Sequence, residues 1–282
     1  MRRLMPSTFR LAICNEVYEK RPFAETCKSI RKAGYTGIEI APFTLADDPR
    51  DIPPARRREF IAAMEGEGLQ FVGLHWLLVG PKDLHVTTPD KAVRERSWAY
   101  VRYLVDLCAD LGPGGVMVFG SPKQRSSTGG SSREEATCRL VEGLAGVAPY
   151  AAERGVTVLL EALPEPDTDV VTTLDEAAAI VRQIGSPGLR TMFDSHNAVK
   201  EAEPHTVLVE RHFDLIRHVH LNEMDGRHPG TGTYDFKPVF EVLNKRGYQG
   251  WLSVEVFDFS LGADRIAEET MRYLQTEIAK IQ

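Results

Sequence analysis

Residues 189–221 read LRTMFDSHNAVKEAEPHTVLVERHFDLIRHVHL. Leu189 to Phe193 and Ile216 to Leu221 are short runs of strand character, and the segment from about Pro204 to Phe213 between them has a helical period. Strand, helix, strand in that order is a parallel crossover unit. The same beat extends in both directions. Runs at Thr8–Cys14, Gly37–Ile40, Gln70–Leu74, Gly115–Phe119 and Val156–Leu160 come before it, and Leu252–Val256 comes after. Helices are predicted over Pro22–Lys32, Pro54–Glu67, Pro89–Leu111, Ser132–Glu153, Leu174–Ile184, Lys237–Lys245 and Ala263–Ile278. Pro89 is placed in a first helical turn, where a missing N–H costs little.

Eight such units in 282 residues, about 35 residues each, predict an α/β protein: one (β/α)8 TIM barrel domain over residues 1–282 with a closed, parallel, eight-stranded sheet. A doubly wound open sheet is the alternative. No dinucleotide fingerprint follows the first strand, which continues Cys14-Asn15-Glu16-Val17-Tyr18, and no Walker-type loop is present.

A charged fraction of 26% and a net charge of −6 fit a globular protein and argue against a chain built to grip nucleic acid phosphates. Cys14, Cys27, Cys108 and Cys138 form no CxxC pair and are expected to be reduced core thiols. Arg2 and Arg3 are followed by Pro6, Ser7 and Thr8 rather than an apolar signal core. No run approaches the length of a membrane span, so a cytoplasmic protein without membrane or nucleic acid partners is expected.

In a parallel barrel the strands should be almost wholly apolar, and their C-terminal ends form the functional face. Four ionisable residues stand at consecutive strand ends: Glu161 in VTVLLE, Asp194 in LRTMFD, His220 in IRHVHL and Glu255 in WLSVEVF. Three converging carboxylates require a neutralising partner. With one imidazole they make a mostly hard donor set suited to one divalent ion, Mn²⁺ first, Mg²⁺ or Co²⁺ next, Zn²⁺ less so. His218 is the rival of His220 on the same strand face, and His220 is preferred because it lies nearer the strand end.

Further groups come from the first half. His75 and Trp76 end the third strand, where the indole offers a face for stacking on a ligand and His75 is either a ligand-facing group or a satisfied barrel-rim residue. Glu39 in GIEI is expected either to face substrate or to be paired inside the barrel. Lys123 and Arg125 in the loop Ser121–Arg125 are expected to be solvated cations, with a phosphate or carboxylate ligand as the alternative role. The glycines of PGTGTYDF (229–236) are expected to shape a turn.

The four strand-end residues, with the phrases MFDSHN, HVHLNE, LSVEVF and AGYTGIEI, resemble the xylose isomerase-like barrel superfamily over essentially the whole chain. The ligand spacings of 33, 26 and 35 residues look most like those of the ketose 3-epimerases. That resemblance implies a sugar substrate and a homo-oligomer, dimer or tetramer. It also implies substrate-binding roles for His196, Arg227 and Asp167, the first two displaced by one residue from the family pattern and the third an aspartate where the family has glutamate. The implied activity is a divalent-metal-dependent sugar epimerase or isomerase. Glu161 and Glu255 would act as acid and base on the carbon beside the carbonyl of a ketose or ketose phosphate, through a cis-enediolate. A sugar or cyclitol dehydratase on the same site is the alternative. A nuclease of the endonuclease IV type is less expected, because the histidines for additional zinc ions are missing.

Overall fold

The computed structural model of the chain describes residues 9–281. Thr8, the expected start of the first strand, and the Arg2–Ser7 stretch lie outside the described residues. The strands are β1 (Arg10–Cys14), β2 (Gly37–Ile40), β3 (Gln70–Leu74), β4 (Val116–Phe119), β5 (Thr157–Leu160), β6 (Leu189–Asp194), β7 (Ile216–Leu221) and β8 (Trp251–Val254). They close in chain order, each parallel to the next, and β8 returns to β1 with Leu252 opposite Leu11. The closed α/β barrel is therefore the architecture, and the open-sheet alternative is excluded.

The helices are α1 (Phe23–Ala33), α2 (Pro54–Gly66), α3 (Lys91–Leu111), α4 (Pro122–Arg125), α5 (Arg133–Glu153), α6 (Leu174–Ile184), α7 (His205–His212), α8 (Lys237–Lys245) and α9 (Ala263–Ala279). Their starts follow local hydrogen-bond chemistry. Ser132 and Glu135 form a reciprocal capping box at α5, and Thr173 caps α6. Pro89 falls outside its expected helix, because the Asp90 carboxylate caps Val93 N–H and α3 starts two residues later, at Lys91. The long helices lay apolar stripes on the sheet; on α6 this is Leu174, Ala177, Ala178 and Val181. No helix among the described residues is long and apolar enough to cross a membrane.

Cys14, Cys27 and Cys108 are buried as expected, but Cys138 is exposed. The buried stripe of α5 runs through Ala136, Leu140, Leu144 and Val147, and a residue two places after Ala136 points away from it.

Alternation along each strand divides the barrel interior into layers. Val118, Leu159 and Met192 form an apolar cluster apart from the main core that joins sheet to helices. Two residues further along β5 and β6 the same face carries Glu161 and Asp194. On β7 it carries His218 and then His220, and on β8 Ser253 and then Glu255. The interior thus passes from an apolar plug to a polar mouth.

The β3–β4 seam has only two paired positions, Gly73 with Val116 and Leu74 with Met117. A Cβ on Gly73 would stand 2.1 Å from the Val116 carbonyl oxygen. Gly73→Ala must push the strands apart where the barrel is most thinly stitched. It should cost about 1–3 kcal/mol in denaturant titration, while Gly66→Ala, at a position with open space, should not.

Candidate metal centre

Glu161 follows β5, Asp194 ends β6, His220 lies in β7 opposite Asp194, and Glu255 follows β8. One donor atom from each lies within 4.8 Å of the others, and all four side chains are buried. His220 Nδ1 is 3.0 Å from Glu255 Oε2 and 3.5 Å from Asp194 Oδ2, yet it has no hydrogen-bond partner. An orphaned ring nitrogen among three carboxylates fits a divalent cation by both charge and donor chemistry.

Supporting groups hold this set in place. The Asn197 backbone N–H donates to Asp194 Oδ1 at 2.7 Å and its side-chain amide donates to Glu161 Oε1 at 3.0 Å. Asn222 donates to Asp194 Oδ2 at 3.4 Å. The Trp76 indole N–H donates to Glu255 Oε1 at 2.7 Å. Glu161 Oε2 lies directly over Gly120, where a Cβ would stand 2.3 Å from it, so this carboxylate needs a glycine beside it. Asn197, Asn222 and Gly120 were assigned no role from the sequence. The available signal was their position beside strand-end ligands, in MFDSHN, HVHLNE and after Phe119.

The electrostatics follow from crowding. Burial, then the charges of Glu255 and Asp194, push Glu161 up to about 8. Burial also raises Glu255, but the charge of the adjacent His220 outweighs it and leaves Glu255 below its ordinary value. Burial lowers His220, yet Glu39 and then Glu255 more than reverse this and hold it well above the usual imidazole range.

A cavity of about 620 Å³ opens over the centre. Glu161 and Glu255 line it, as do Trp76, Lys123, Asp167, His196, Asn197 and Phe257. His196, Asp167 and Trp76 thus lie at the mouth. Trp76 does not offer a free face, however. Its ring runs nearly parallel to those of Phe43 and Phe257, with centroids 5.9 and 6.0 Å away. Phe257, unassigned from the sequence, is 41% exposed and is the accessible aromatic of the rim.

Other expected substrate residues lie elsewhere. Glu39 does not reach the cavity; it is fully buried and accepts from His218 and His220. His75 is also fully buried, with Nε2 2.6 Å from Glu16 Oε2. Arg227 is exposed and turned onto its neighbour Asp225, Nε to Oδ2 at 2.8 Å, so Asp225 rather than Arg227 borders the cavity. Arg125 is no anion ligand. It is wholly buried in the short helix α4 and donates to the carbonyls of Phe119, Glu161 and Val171. The 229–236 loop is a turn as expected, tied by the Glu223 carboxylate to the N–H groups of Gly230 and Tyr234.

The profile of the Xylose isomerase-like TIM barrel family matches residues 27–277. The chain belongs to this family. It is 28% identical to the L-ribulose 3-epimerase of Mesorhizobium japonicum over 251 residues, 87% of this chain and 79% of that one. It is 25% identical to the ketose 3-epimerase of Arthrobacter globiformis over 245 residues, 83% and 78% of the two chains. A solved L-ribulose 3-epimerase structure superposes with a TM-score of 0.82 at 21% identity, covering 97% of this chain and 96% of the other. The protein is an enzyme of the isomerase class.

The raised Glu161 has a consequence for stability. An acid with a higher pKa folded than unfolded binds more protons when folded, so its contribution falls as pH rises from the ordinary carboxylate range toward about 8. Metal-stripped protein should therefore melt lower at pH 8 than at pH 5.5 by a wider margin than its Glu161→Gln variant. Thermal scans of both in chelator check this, and equal margins would contradict it.

Proposed function

We propose that the protein is a divalent-metal-dependent epimerase of ketose sugars. The carrying observation is that two of the four clustered donors, Glu161 and Glu255, also line the cavity, while Asp194 and His220 back them. Glu161, Asp194, His220 and Glu255 would hold one ion. Three carboxylates and one imidazole favour Mn²⁺, with Mg²⁺ or Co²⁺ as substitutes. When bound, such an ion supplies Lewis-acid polarisation of a carbonyl and its neighbouring hydroxyl. The resemblance to the ketose 3-epimerases supports the choice of substrate class and of the carbon that reacts.

The protein's own groups divide the remaining work. Glu161 and Glu255 stand on strands separated by β6 and β7, so a bound sugar would have one on each side. One takes the proton from the carbon beside the carbonyl, and the other returns a proton to the opposite face. Asn197 and Trp76 hold the two carboxylates in place through the hydrogen bonds described above. His196 spends Nδ1–H on the Met224 carbonyl at 2.9 Å, which leaves Nε2 to accept from a substrate hydroxyl. Phe257 offers an apolar face at the rim and Lys123 a cation.

Turnover of a panel of free ketoses with Mn²⁺ in D₂O, followed by NMR, tests this reading. The product should carry solvent deuterium on the inverted carbon. Glu161→Gln and Glu255→Gln should each lower turnover by about 10²–10⁴-fold, and Asp194→Asn should empty the metal site in elemental analysis. Deuterium-free product would overturn the two-carboxylate mechanism.

A further inference from the structure

Beneath the metal centre lies a second buried group that the proposed chemistry does not use. Glu39, on β2, faces β7 across the barrel interior and is fully buried. His218 Nε2 lies 2.9 Å from Glu39 Oε2, and His220 Nε2 lies 3.1 Å from Oε1 and 3.3 Å from Oε2. His75 Nδ1 flanks the same carboxylate at 3.8 Å. A carboxylate only accepts, so His218 and His220 must each present an N–H at Nε2. A metal ligand must be the neutral imidazole with one N–H, so an ion that takes the place of the second proton finds Nδ1 of His220 as the free lone pair. That atom is the one aimed at Glu255 and Asp194 with no partner of its own.

We propose that Glu39 is a positioning residue for the metal centre: it fixes His220 as the Nε2–H tautomer, so that Nδ1 is the donor offered to the ion. This rests on the reading that Glu161, Asp194, His220 and Glu255 hold a divalent cation. The His218 hydrogen bond anchors Glu39 from below and keeps its carboxylate from rotating away. The opposite tautomer would drive an N–H into the space between three carboxylates, where a cation is to sit. A hydrogen-bonded carboxylate behind a ligand imidazole also makes that imidazole a stronger donor, and losing such a partner typically costs about 10–100-fold in metal affinity. Glu39 therefore acts on the reaction only through His220. This explains why a carboxylate sits inside an otherwise apolar strand without reaching the cavity.

The test uses the full chain and the metal alone. Calorimetric titration with Mn²⁺ should give a dissociation constant 10–100-fold weaker for Glu39→Gln than for the unaltered protein, with the far-ultraviolet spectrum and melting cooperativity unchanged. An affinity within twofold of the unaltered protein would overturn the proposal. A spectroscopic reading covers the case in which the variant fails to fold. In ¹⁵N-histidine-labelled protein loaded with diamagnetic Zn²⁺, His220 should show a metal-bound Nδ1 and a protonated, strongly hydrogen-bonded Nε2. Coordination through Nε2 would overturn the proposal irrespective of the variant. If the unaltered chain takes up no divalent ion, the metal reading fails and takes this inference with it. If it binds the ion, loses affinity in Glu39→Gln and yet inverts no ketose, the epimerase reading alone fails.

Discussion

Three carboxylates buried within a few ångströms of one another in a barrel mouth govern this molecule. Left alone, Glu161, Asp194 and Glu255 repel one another and lose hydration, a combination that interiors tolerate only with compensation. The surrounding architecture supplies that compensation piece by piece. His220 brings an imidazole, Asn197 and Asn222 bring amide N–H groups, Trp76 brings an indole N–H, and Gly120 leaves room for one carboxylate oxygen. What these groups leave unsatisfied has the charge and donor preference of a divalent cation.

The polar layer depends in turn on the apolar layer below it. Val118, Leu159 and Met192 pack together beneath the centre, so the carboxylates rest on an apolar layer. Arg125 performs a similar task from outside the sheet. Its guanidinium ties the end of β4 to the backbone of Glu161 and to Val171 in the following loop. A buried cation with only carbonyl partners is a costly brace, and burial lowers it to about 10. Its placement shows how much of the fold is committed to holding Glu161.

The barrel was legible because each strand is short and apolar and each helix carries its own start and stop residues; β2, β3, β7, α6 and α8 fall at the expected boundaries. The convergence of Glu161, Asp194, His220 and Glu255 was legible for the same reason, since an ionisable residue at the end of a buried parallel strand has little structural use. The supporting groups were not. Whether Glu39 faces a cavity or two histidines depends on β2 lying across the barrel from β7, a separation of 179 residues in the case of His218. The Arg227 expectation failed because Asp225, two residues away, captures the guanidinium locally. The Arg125 expectation failed because the loop after β4 winds into a helical turn that points its side chain inward. The stacking expected of Trp76 overlooked Phe43 and Phe257, which reach it from other loops.

The three tryptophans of the chain have a practical meaning of their own. Trp251 lies at the floor of the barrel under the Arg10 guanidinium, 3.9 Å from its ring centroid. Trp98 lies in the helical shell, stacked on Phe119 with its N–H toward the Val86 carbonyl at 3.3 Å. Trp76 alone touches the mouth, joined to Glu255. The intrinsic fluorescence of the protein is thus divided among floor, shell and mouth. Only one of the three emitters is in direct contact with the events at the open end of the barrel.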